Sequence, residues 1–465
     1  MPKLSRIPLP YFKQGIIREA SIDEVIALPD SVEFAQNVNF DRLGAFQTRD
    51  GFTKIGDTIE ADKDIFGMAN FINNARTVYR LFAKVNESIY VYDGSSWTSA
   101  LGSLSATSKA RFTSLVDYIF MATGGGIKSS SGSSFGTTNV ADLPSGCEYI
   151  ENFRSRLWAA DSATDKVYYT DVVTTSQTIE GGTSYLQISP QDGSNITGLK
   201  RYQRALLVFK NNNIYRIFSI NSTDPDPFIY IGTYSQESIV ETKDGLYFHS
   251  PSGFYRYNDT PSPEEISRSI IDIVEAIPRA SYPNIVGWTN GDYIYWSVGD
   301  ITLGGVSLSN VVCRRTISTQ VWTVYTYSQE IQSACKYDDG TDLIDVVGTD
   351  AGKVHQFNYG NTDDGTEIHY NLETHYYYIT NIKSDKKKIK EISTLFENAQ
   401  GAMISYMIDT ENEWKPIGNI EEDLSQVFSL EAEFIRIKFK ISGTNVGDTL
   451  IFRGLELISN FTYDV

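Results

Sequence analysis

Residues 206–215, LLVFKNNNIY, decide the fold that we expect for this chain. Four apolar residues predict one strand, a lysine and three asparagines predict a polar turn, and Ile214 and Tyr215 begin a second strand. The same arrangement recurs along the chain, with an aromatic residue next to a β-branched residue in the second strand. Paired short strands joined by polar turns are typical of antiparallel sheets.

Seven copies of this pattern are recognisable, and their second strands begin near residues 89, 127, 167, 214, 254, 321 and 354. The mean spacing is about 44 residues, close to the period of a four-stranded propeller blade. A blade exposes apolar faces that only a neighbouring blade covers, so the blades must close into a ring. The sequence therefore predicts an all-β chain with a β-propeller. We prefer seven blades, and the long step from 254 to 321 leaves six or eight open.

We expect one helix in the long interval between residues 254 and 321. Ser262 fits an N-cap, Pro263 the first helical position, and a capping-box glutamate follows. An apolar stripe continues the pattern and a proline ends it. We therefore predict a helix near residues 263–277, inserted between blades as a packing element.

The pattern of apolar and charged residues changes after residue 360. Residues 434–441, FIRIKFKI, alternate from Ile435 onward, with Arg436, Lys438 and Lys440 on one face and apolar residues on the other. Lysines at 386–388 open another strand. We expect an N-terminal extended arm (1–33), a propeller (34–360) and a separate C-terminal antiparallel β-sandwich (361–465). The arm contains Pro2, Pro8 and Pro10 and is suited to lie along a neighbouring molecule.

Composition limits the possible functions. The chain has 465 residues, a net charge of −18, 41% hydrophobic and 13% aromatic residues. This composition is typical of a folded protein rather than a disordered one. A strongly acidic chain does not bind nucleic acid by neutralising phosphates, although it can surround DNA. Cys147, Cys313 and Cys335 are too few and too far apart for a disulfide framework, and no apolar run is long enough for a membrane helix.

Residues suited to catalysis or metal binding are sparse. His369 and His375 share a strand face but are about 20 Å apart along the strand, too far for one metal ion. His249 and His355 have no recognisable partners in the sequence. We expect structural or surface roles for all four histidines. Carboxylates of a glycosidase cannot be singled out in so acidic a chain.

Three turn-rich segments also favour structural interpretations. Residues 124–129, GGGIKS, lack the full spacing of a phosphate-binding loop and are interpreted as a turn. Residues 338–340 and 363–365, both DDG, suit tight turns, and neither has the ligand spacing of a calcium loop. The acidic stretch from Asp338 to Glu367 is interpreted as a solvated face, with docking to a basic partner as the alternative. No catalytic, cofactor-binding or metal-binding residue is predicted.

Four stretches together resemble a known family. They are 37–55 (NVNFDRLGAFQTRDGFTKI), 150–160 with 167–171 (IENFRSRLWAA, VYYTD), the segment from Leu246 through the turn 250–253 (SPSG) into the predicted helix, and 387–392 (KKIKEI). Their order resembles that of phage tail propeller proteins, in particular the tail hub or packaged-DNA stabilisation (head-completion) proteins of short-tailed bacteriophages. The resemblance spans most of the chain, and every motif in it is short.

The resemblance implies a structural virion protein and no enzyme, because the family has no catalytic residues to transfer. It implies a homo-oligomeric ring, usually a hexamer, below the portal and adaptor proteins. Such a ring closes the filled head, forms part of the DNA ejection channel and seats further tail parts (nozzle, needle, fibre or spike). The expected location is the virion tail, assembled in the host cytoplasm, with no membrane partner and no cofactor.

Two alternatives stay open. One is a tail nozzle or baseplate hub of the same virion. The other, of a different class, is a carbohydrate-binding or glycoside-hydrolysing propeller, which predicts aromatic and acidic side chains at one propeller mouth.

Overall fold

The computed structural model describes residues 4–9, 12–18, 30–42, 45–136, 140, 142–173, 179–190, 192–221, 227–378, 387–398, 401–421, 424–445 and 450–460. Within these ranges the chain is built almost entirely of antiparallel β-sheets.

Seven consecutive sheets form the blades of a propeller, numbered here in chain order. Blades 1 to 3 consist of Ile65–Ile72, Tyr79–Val85, Ser88–Tyr92 and Trp97–Leu101; Arg111–Leu115, Tyr118–Ala122 and Lys128–Ser130; and Tyr149–Phe153, Arg156–Asp161, Lys166–Thr170 and Gly181–Gln187. Blades 4 and 5 consist of Ile196–Tyr202, Ala205–Lys210, Ile214–Ile217 and Pro227–Ile229; and Val240–Thr242, Gly245–Ser250, Gly253–Tyr257 and Glu264–Glu265. Blades 6 and 7 consist of Val286–Thr289, Tyr293–Leu303, Val306–Thr316 and Trp322–Thr326; and Ile331–Asp338, Leu343–Thr349, Val354–Phe357 and Phe52–Lys54.

The ring closes through a strand from the beginning of the chain. Phe52–Lys54 pairs antiparallel with Val354–Phe357 and supplies the fourth strand of blade 7. The first strands of neighbouring blades pack against one another in a closed circle, which passes between blades 4 and 5 through the 3-10 turn Gln236–Ser238. The predicted propeller is thus confirmed, with seven blades.

Apolar side chains fill the spaces between blades. In one such cluster Leu206 and Val208 of blade 4 meet Trp158 and Val167 of blade 3, all nearly inaccessible to solvent. Equivalent clusters lie between the other neighbouring blades. A single blade therefore has no core of its own, and burial on this scale stabilises only the assembled ring.

The predicted β-sandwich is also present, and it is continuous with the propeller. One sheet extends blade 6 with Ser31–Gln36, Ile368–Thr374, Arg436–Asn445, Met403–Ile408 and Lys415–Asn419, and with the short strands Gly15–Ile16 and Tyr377–Tyr378. The facing sheet contains Leu424–Phe434, Lys387–Glu397, Ile451–Asn460, Ala45–Thr48 and Val38–Arg42, with Leu4–Pro8 paired to Ile451–Asn460. The two sheets bury aromatic residues such as Phe46, Phe396 and Phe452 between them.

The early part of the chain departs from the expected domain division. Residues 34–36, 38–42 and 45–48 were expected in the propeller but lie in strands of the sandwich sheets, because Ser31–Gln36 pairs with Ile368–Thr374 and Ala45–Thr48 pairs with Ile451–Asn460. The first described strand, Leu4–Pro8, lies against its own chain. Pro2 and Pro10 lie outside the described residues.

The predicted helix at 263–277 is wrong in its first half. Glu264–Glu265 is the fourth strand of blade 5, paired with Arg256 and Tyr255, and the α-helix spans only Ile271–Ala276. Strand pairing overrides the local capping signal at Ser262, because Glu264 and Glu265 pair with Arg256 and Tyr255 instead of forming the first turn of a helix. Two 3-10 turns, Arg268–Ile270 and Arg279–Asn284, flank the helix.

The long step in the repeat also has a structural explanation. In six blades the second strand of the sequence pattern is the third strand of the blade, whereas in blade 6 it is the fourth, Trp322–Thr326. Blade 6 contains a hairpin of two 11-residue strands, Tyr293–Leu303 and Val306–Thr316, and this hairpin adds the extra length.

Candidate functional site

The segment 37–55 contains a buried polar group with five hydrogen bonds, the guanidinium of Arg49. Its two amino nitrogens lie 2.8 Å and 2.6 Å from the two carboxylate oxygens of Asp363, so the ion pair is bidentate. Both side chains are buried, with 1% and 3% of their surface exposed. A bidentate guanidinium–carboxylate pair fixes orientation as well as distance.

Arg49 joins three parts of the fold. Besides Asp363, it donates to the Thr326 carbonyl in the last strand of blade 6 (2.6 Å) and, through Nε, to Asn37 Oδ1 beside the sandwich (2.9 Å). Its guanidinium also lies 3.9 Å from the ring centre of Tyr327. Burial by itself lowers the pKa of Arg49, but Tyr327 and Asp363 favour the charged form and the pKa is raised overall.

Asn37 completes this junction from the sandwich side. Its backbone has φ 58°, a left-handed conformation that asparagine tolerates better than most residues. The side chain accepts from the Thr326 amide (2.8 Å) and donates to the His369 carbonyl (2.6 Å). The junction of Asn37, Arg49, Thr326 and Asp363 therefore bonds blade 6, the ring-closing segment and the sandwich to one another.

A second ion pair, in which only the arginine is buried, lies in the same region. Arg314 Nη2 is 2.7 Å from Asp41 Oδ2, and the Arg314 guanidinium lies 3.7 Å from the ring centre of Tyr293. The Tyr325 hydroxyl donates to the Asn39 side chain in a short contact. The residues NVNFD at 37–41 thus place three polar side chains against blade 6.

A separate charged cluster crosses the propeller axis. Arg111 Nε lies 2.7 Å from Glu237 Oε1, and Lys109 Nζ lies 3.4 Å from Glu237 Oε2. The two cations precede or begin the first strand of blade 2, while Glu237 lies in the turn before blade 5, so the pairs span blades that are not neighbours. Arg111 also stacks over Tyr149 at 4.2 Å.

Electrostatics hold this axial cluster in its charged form. Burial raises the pKa of Glu237, but Arg111 and Lys109 outweigh burial and lower the pKa to about 2. Burial raises the pKa of Tyr149 to about 12, against the opposing effect of Arg111. Glu237 is therefore ionised at neutral pH, while burial, opposed by Glu237, lowers the pKa of Lys109.

The histidines have the structural positions that the sequence suggested. His249, His355 and His375 are buried, and burial lowers the pKa of His249 to about 3 and that of His355 to about 4. His369 lies on the sandwich, with Nδ1 2.8 Å from Thr444 Oγ1. Among the described residues, no group of three or more His, Cys, Asp or Glu side chains could hold a metal ion.

The turn segments give one confirmation and one correction. Asp338 and Asp339 accept backbone N–H groups two and three residues ahead, as expected for tight turns. Residues 123–127 connect two strands of blade 2, with the Gly126 amide bonded to the Ser145 carbonyl, and Lys128 and Ser129 already belong to the third strand. Asp363 was expected on a solvated face, and this is wrong because it is the buried partner of Arg49.

Sequence reasoning therefore missed the Arg49–Asp363 pair. The two residues are 314 positions apart, and nothing local marks Asp363 as buried. The only signal was the sequence RDGF at 49–52, which we used for resemblance and not for structure.

Comparisons with known proteins give structural neighbours only. No protein-family model and no curated protein matches the sequence. Similar solved structures include BamB from Moraxella catarrhalis (12% identity, 77% of this chain and 99% of that chain, TM-score 0.38) and the Pan2 WD40 domain of Neurospora crassa (10%, 66% and 94%, 0.40). The computationally designed Ika8 protein is a third (10%, 65% and 98%, 0.41). None of the helices in the described part of the chain is long and apolar enough to cross a membrane.

Proposed function

We propose that this chain is a non-enzymatic structural protein of a bacteriophage virion, a head-to-tail connector or tail hub. In this role six copies form a ring below the portal and adaptor proteins. The ring closes the DNA-filled head, contributes to the ejection channel and seats the next tail component.

The observation that carries this proposal is the structural position of the segment 37–55. This segment has the first family resemblance, and the same residues close the propeller ring and join it to the sandwich through Arg49 and Asp363. A connector between head and tail must hold its neighbours at fixed positions. A propeller and a sandwich that share one sheet and a buried ion pair form a stiff unit suited to that task.

The net charge of −18 supports the same role. Acidic side chains facing an enclosed channel repel DNA phosphates, so that the genome passes without binding to the wall. A strongly negative surface also keeps the free subunits apart until partner proteins assemble them.

The proposal is tested by assembling the purified chain with portal and adaptor proteins of the same phage. Negative-stain microscopy and mass photometry should show a ring of six copies that forms only with the adaptor-bearing portal. Matched mixtures without the adaptor should leave the chain monomeric. A chain that remains monomeric in every mixture contradicts the proposal.

A further inference from the structure

A strand at the edge of the sandwich has no partner on its outer side. Leu424–Phe434 is the last strand of its sheet, and among the described residues it pairs only with Lys387–Glu397. It has 11 residues, whereas the outer strands of blades 1 to 5 and of blade 7 have two to seven. We call Leu424–Phe434 the sandwich edge. An unpaired strand of this length presents backbone N–H and C=O groups to which another strand can bond.

Sheet edges are usually protected, and the facing sheet of the sandwich shows how. Its corresponding edge strand, Lys415–Asn419, has five residues and begins with a lysine and a proline. Both residue types oppose the addition of a strand. The sandwich edge contains neither lysine nor proline. Its pairing is interrupted by a bulge between Ser429 and Ala432, so the regular part that stays open to addition is Leu424–Ser429.

This regular part is already fixed by contacts within the chain. Gln426 Oε1 accepts a hydrogen bond from the Glu421 amide (3.0 Å), and the Gln426 carbonyl accepts one from the Thr394 hydroxyl on the neighbouring strand (3.2 Å). Phe428 packs on the inner side against the core of the sandwich. A strand that is ordered in advance loses little conformational freedom when another strand pairs with it.

The outward face beside the regular part has exposed apolar side chains. Val427 is 55% exposed, and Leu395 on the neighbouring strand is 41% exposed. Pairing places Ser393 opposite Val427 and Ser425 opposite Leu395, so small side chains lie between the two apolar ones. Leu395 and Ser425 also line a groove of about 480 Å³. A strand added beside Leu424–Ser429 would cover Val427, and an apolar side chain on it would reach Leu395 over Ser425.

The charge around the sandwich edge determines which kind of strand fits. Residues 411–434, which include both edge strands, contain seven acidic residues and one lysine, and that lysine pairs with Glu411. The neighbouring strand Lys387–Glu397 adds three lysines and two glutamates, so the region stays acidic. Four exposed carboxylates here have no ion-pair partner among the described residues: those of Glu413, Glu421, Glu431 and Glu433. Such carboxylates favour a partner with lysine or arginine side chains.

We propose that the sandwich edge binds an extended, basic segment of a partner protein by strand addition. The segment lies beside Leu424–Ser429 and bonds to its open backbone groups, with an apolar side chain over Val427 and Leu395. Its lysine or arginine side chains lie toward Glu431 and Glu433. Strand addition at this edge does not depend on the proposed role in the virion, so the two proposals are tested separately.

The binding assay uses the full chain and a fluorescent eight-residue peptide of alternating lysine and valine with blocked ends. The control peptide has the same sequence with every backbone nitrogen methylated, so it keeps the charge but donates no backbone hydrogen bonds. Fluorescence anisotropy at low salt should show saturable binding of the first peptide and about tenfold weaker binding of the methylated one. This comparison separates strand addition from attraction between charges alone.

Two variants of the chain test the position of the site. V427K places on the open strand a charge of the kind that protects natural edges, and it should weaken peptide binding about tenfold. V172K, at a valine of similar exposure (50%) outside the sandwich, is the matched control. E431Q/E433Q removes two carboxylates and should weaken binding severalfold at low salt. Its control is E180Q/E275Q, at two exposed glutamates outside the sandwich.

Hydrogen–deuterium exchange of the full chain with and without the peptide locates the contact. Protection of residues 424–429, with weaker binding by V427K and E431Q/E433Q and unchanged binding by both controls, supports strand addition at the sandwich edge. Equal affinity for the two peptides would reduce the contact to charge attraction and overturn the proposal. The lack of saturable binding, equal binding by V427K and V172K, or protection of another part of the chain instead would also overturn it.

Discussion

The carboxylate of Asp363 receives both amino groups of Arg49, at 2.8 Å and 2.6 Å, in a place that water hardly reaches. Arg49 lies between the sandwich strand Ala45–Thr48 and the ring-closing strand Phe52–Lys54, and Asp363 lies between the blade 7 strand Val354–Phe357 and the sandwich strand Ile368–Thr374. Their contact fixes how the propeller and the sandwich are joined.

Breaking this pair from one side should be costly. We expect R49M to lower the free energy of unfolding by about 3 to 5 kcal/mol, because Asp363 is then a buried charge without its partner. The double variant R49M/D363L should recover a substantial part of that loss, since no buried charge remains. Urea denaturation followed by fluorescence measures both values.

The control for this cycle is R453M, which removes an exposed ion pair with Glu397. It should change stability by less than about 1 kcal/mol. If R49M were no more destabilising than R453M, the junction would not hold the two parts together.

A buried lysine ties blade 4 to blade 3. Lys210 Nζ lies 3.1 Å from Asp165 and 3.0 Å from Asp192, and none of its side chain is exposed. We expect K210M to lower the free energy of unfolding by about 2 to 4 kcal/mol, because two carboxylates lose their counter-charge. Thermal unfolding measures this loss, and K200M, at a half-exposed pair with Glu241, is the matched control.

The stability of the protein should depend on Glu330 near neutral pH. Burial, followed by repulsion from Asp350, Asp300 and Asp64, raises the pKa of Glu330 to about 7 in the folded state. The folded protein therefore binds a proton that the unfolded chain does not, between about pH 4.5 and 7, and stability rises as the pH falls through this window. At pH 8, E330Q should be more stable than the wild type by about 1 kcal/mol after allowance for solvent screening.

This gain should shrink as the pH falls and disappear below about pH 4, where Glu330 is largely protonated in both states. Denaturant midpoints at several pH values measure it. E275Q, on an exposed position of the short helix, removes the same charge and should not reproduce the gain. A gain of E330Q that is constant across this range would contradict the assignment to Glu330.

Glu237 should show the opposite dependence. Its folded pKa of about 2 lies below the unfolded value, so its contribution is present above about pH 4.5 and is lost as the pH falls toward 2. At pH 7, E237Q should lose about 2 to 3 kcal/mol, because Lys109 and Arg111 then face each other without a counter-charge. The free energy of unfolding, measured at several acidic pH values, checks this prediction. A stability difference between the wild type and E237Q that is the same at pH 7 and pH 2 would contradict it.

The repeat pattern was enough to predict the propeller and to favour seven blades, while six and eight stayed open. Apolar pairs such as Leu206 and Val208 recur about once per blade, because burial between blades requires them in each repeat. The sandwich was predictable from the alternation around Ile437 and Phe439, which are buried as expected.

The junction could not be predicted from the sequence, and the cause is physical. Ring closure by Phe52–Lys54 and the pairing of Arg49 with Asp363 are contacts between distant parts of the chain, and local periodicity contains no information about them. The helix predicted from the capping signal at Ser262 was wrong for the same reason. Glu265 pairs with Tyr255 of the neighbouring strand, and this contact is not visible in the local sequence.

Cryo-electron microscopy of the assembled virion tests the central proposal most directly. We expect density for six copies of this propeller with its sandwich, arranged around the DNA channel below the portal and adaptor. Density further down the tail would favour a nozzle or baseplate hub instead. A virion whose neck contains no copy of the chain, with the chain found outside the particle, would contradict the connector role.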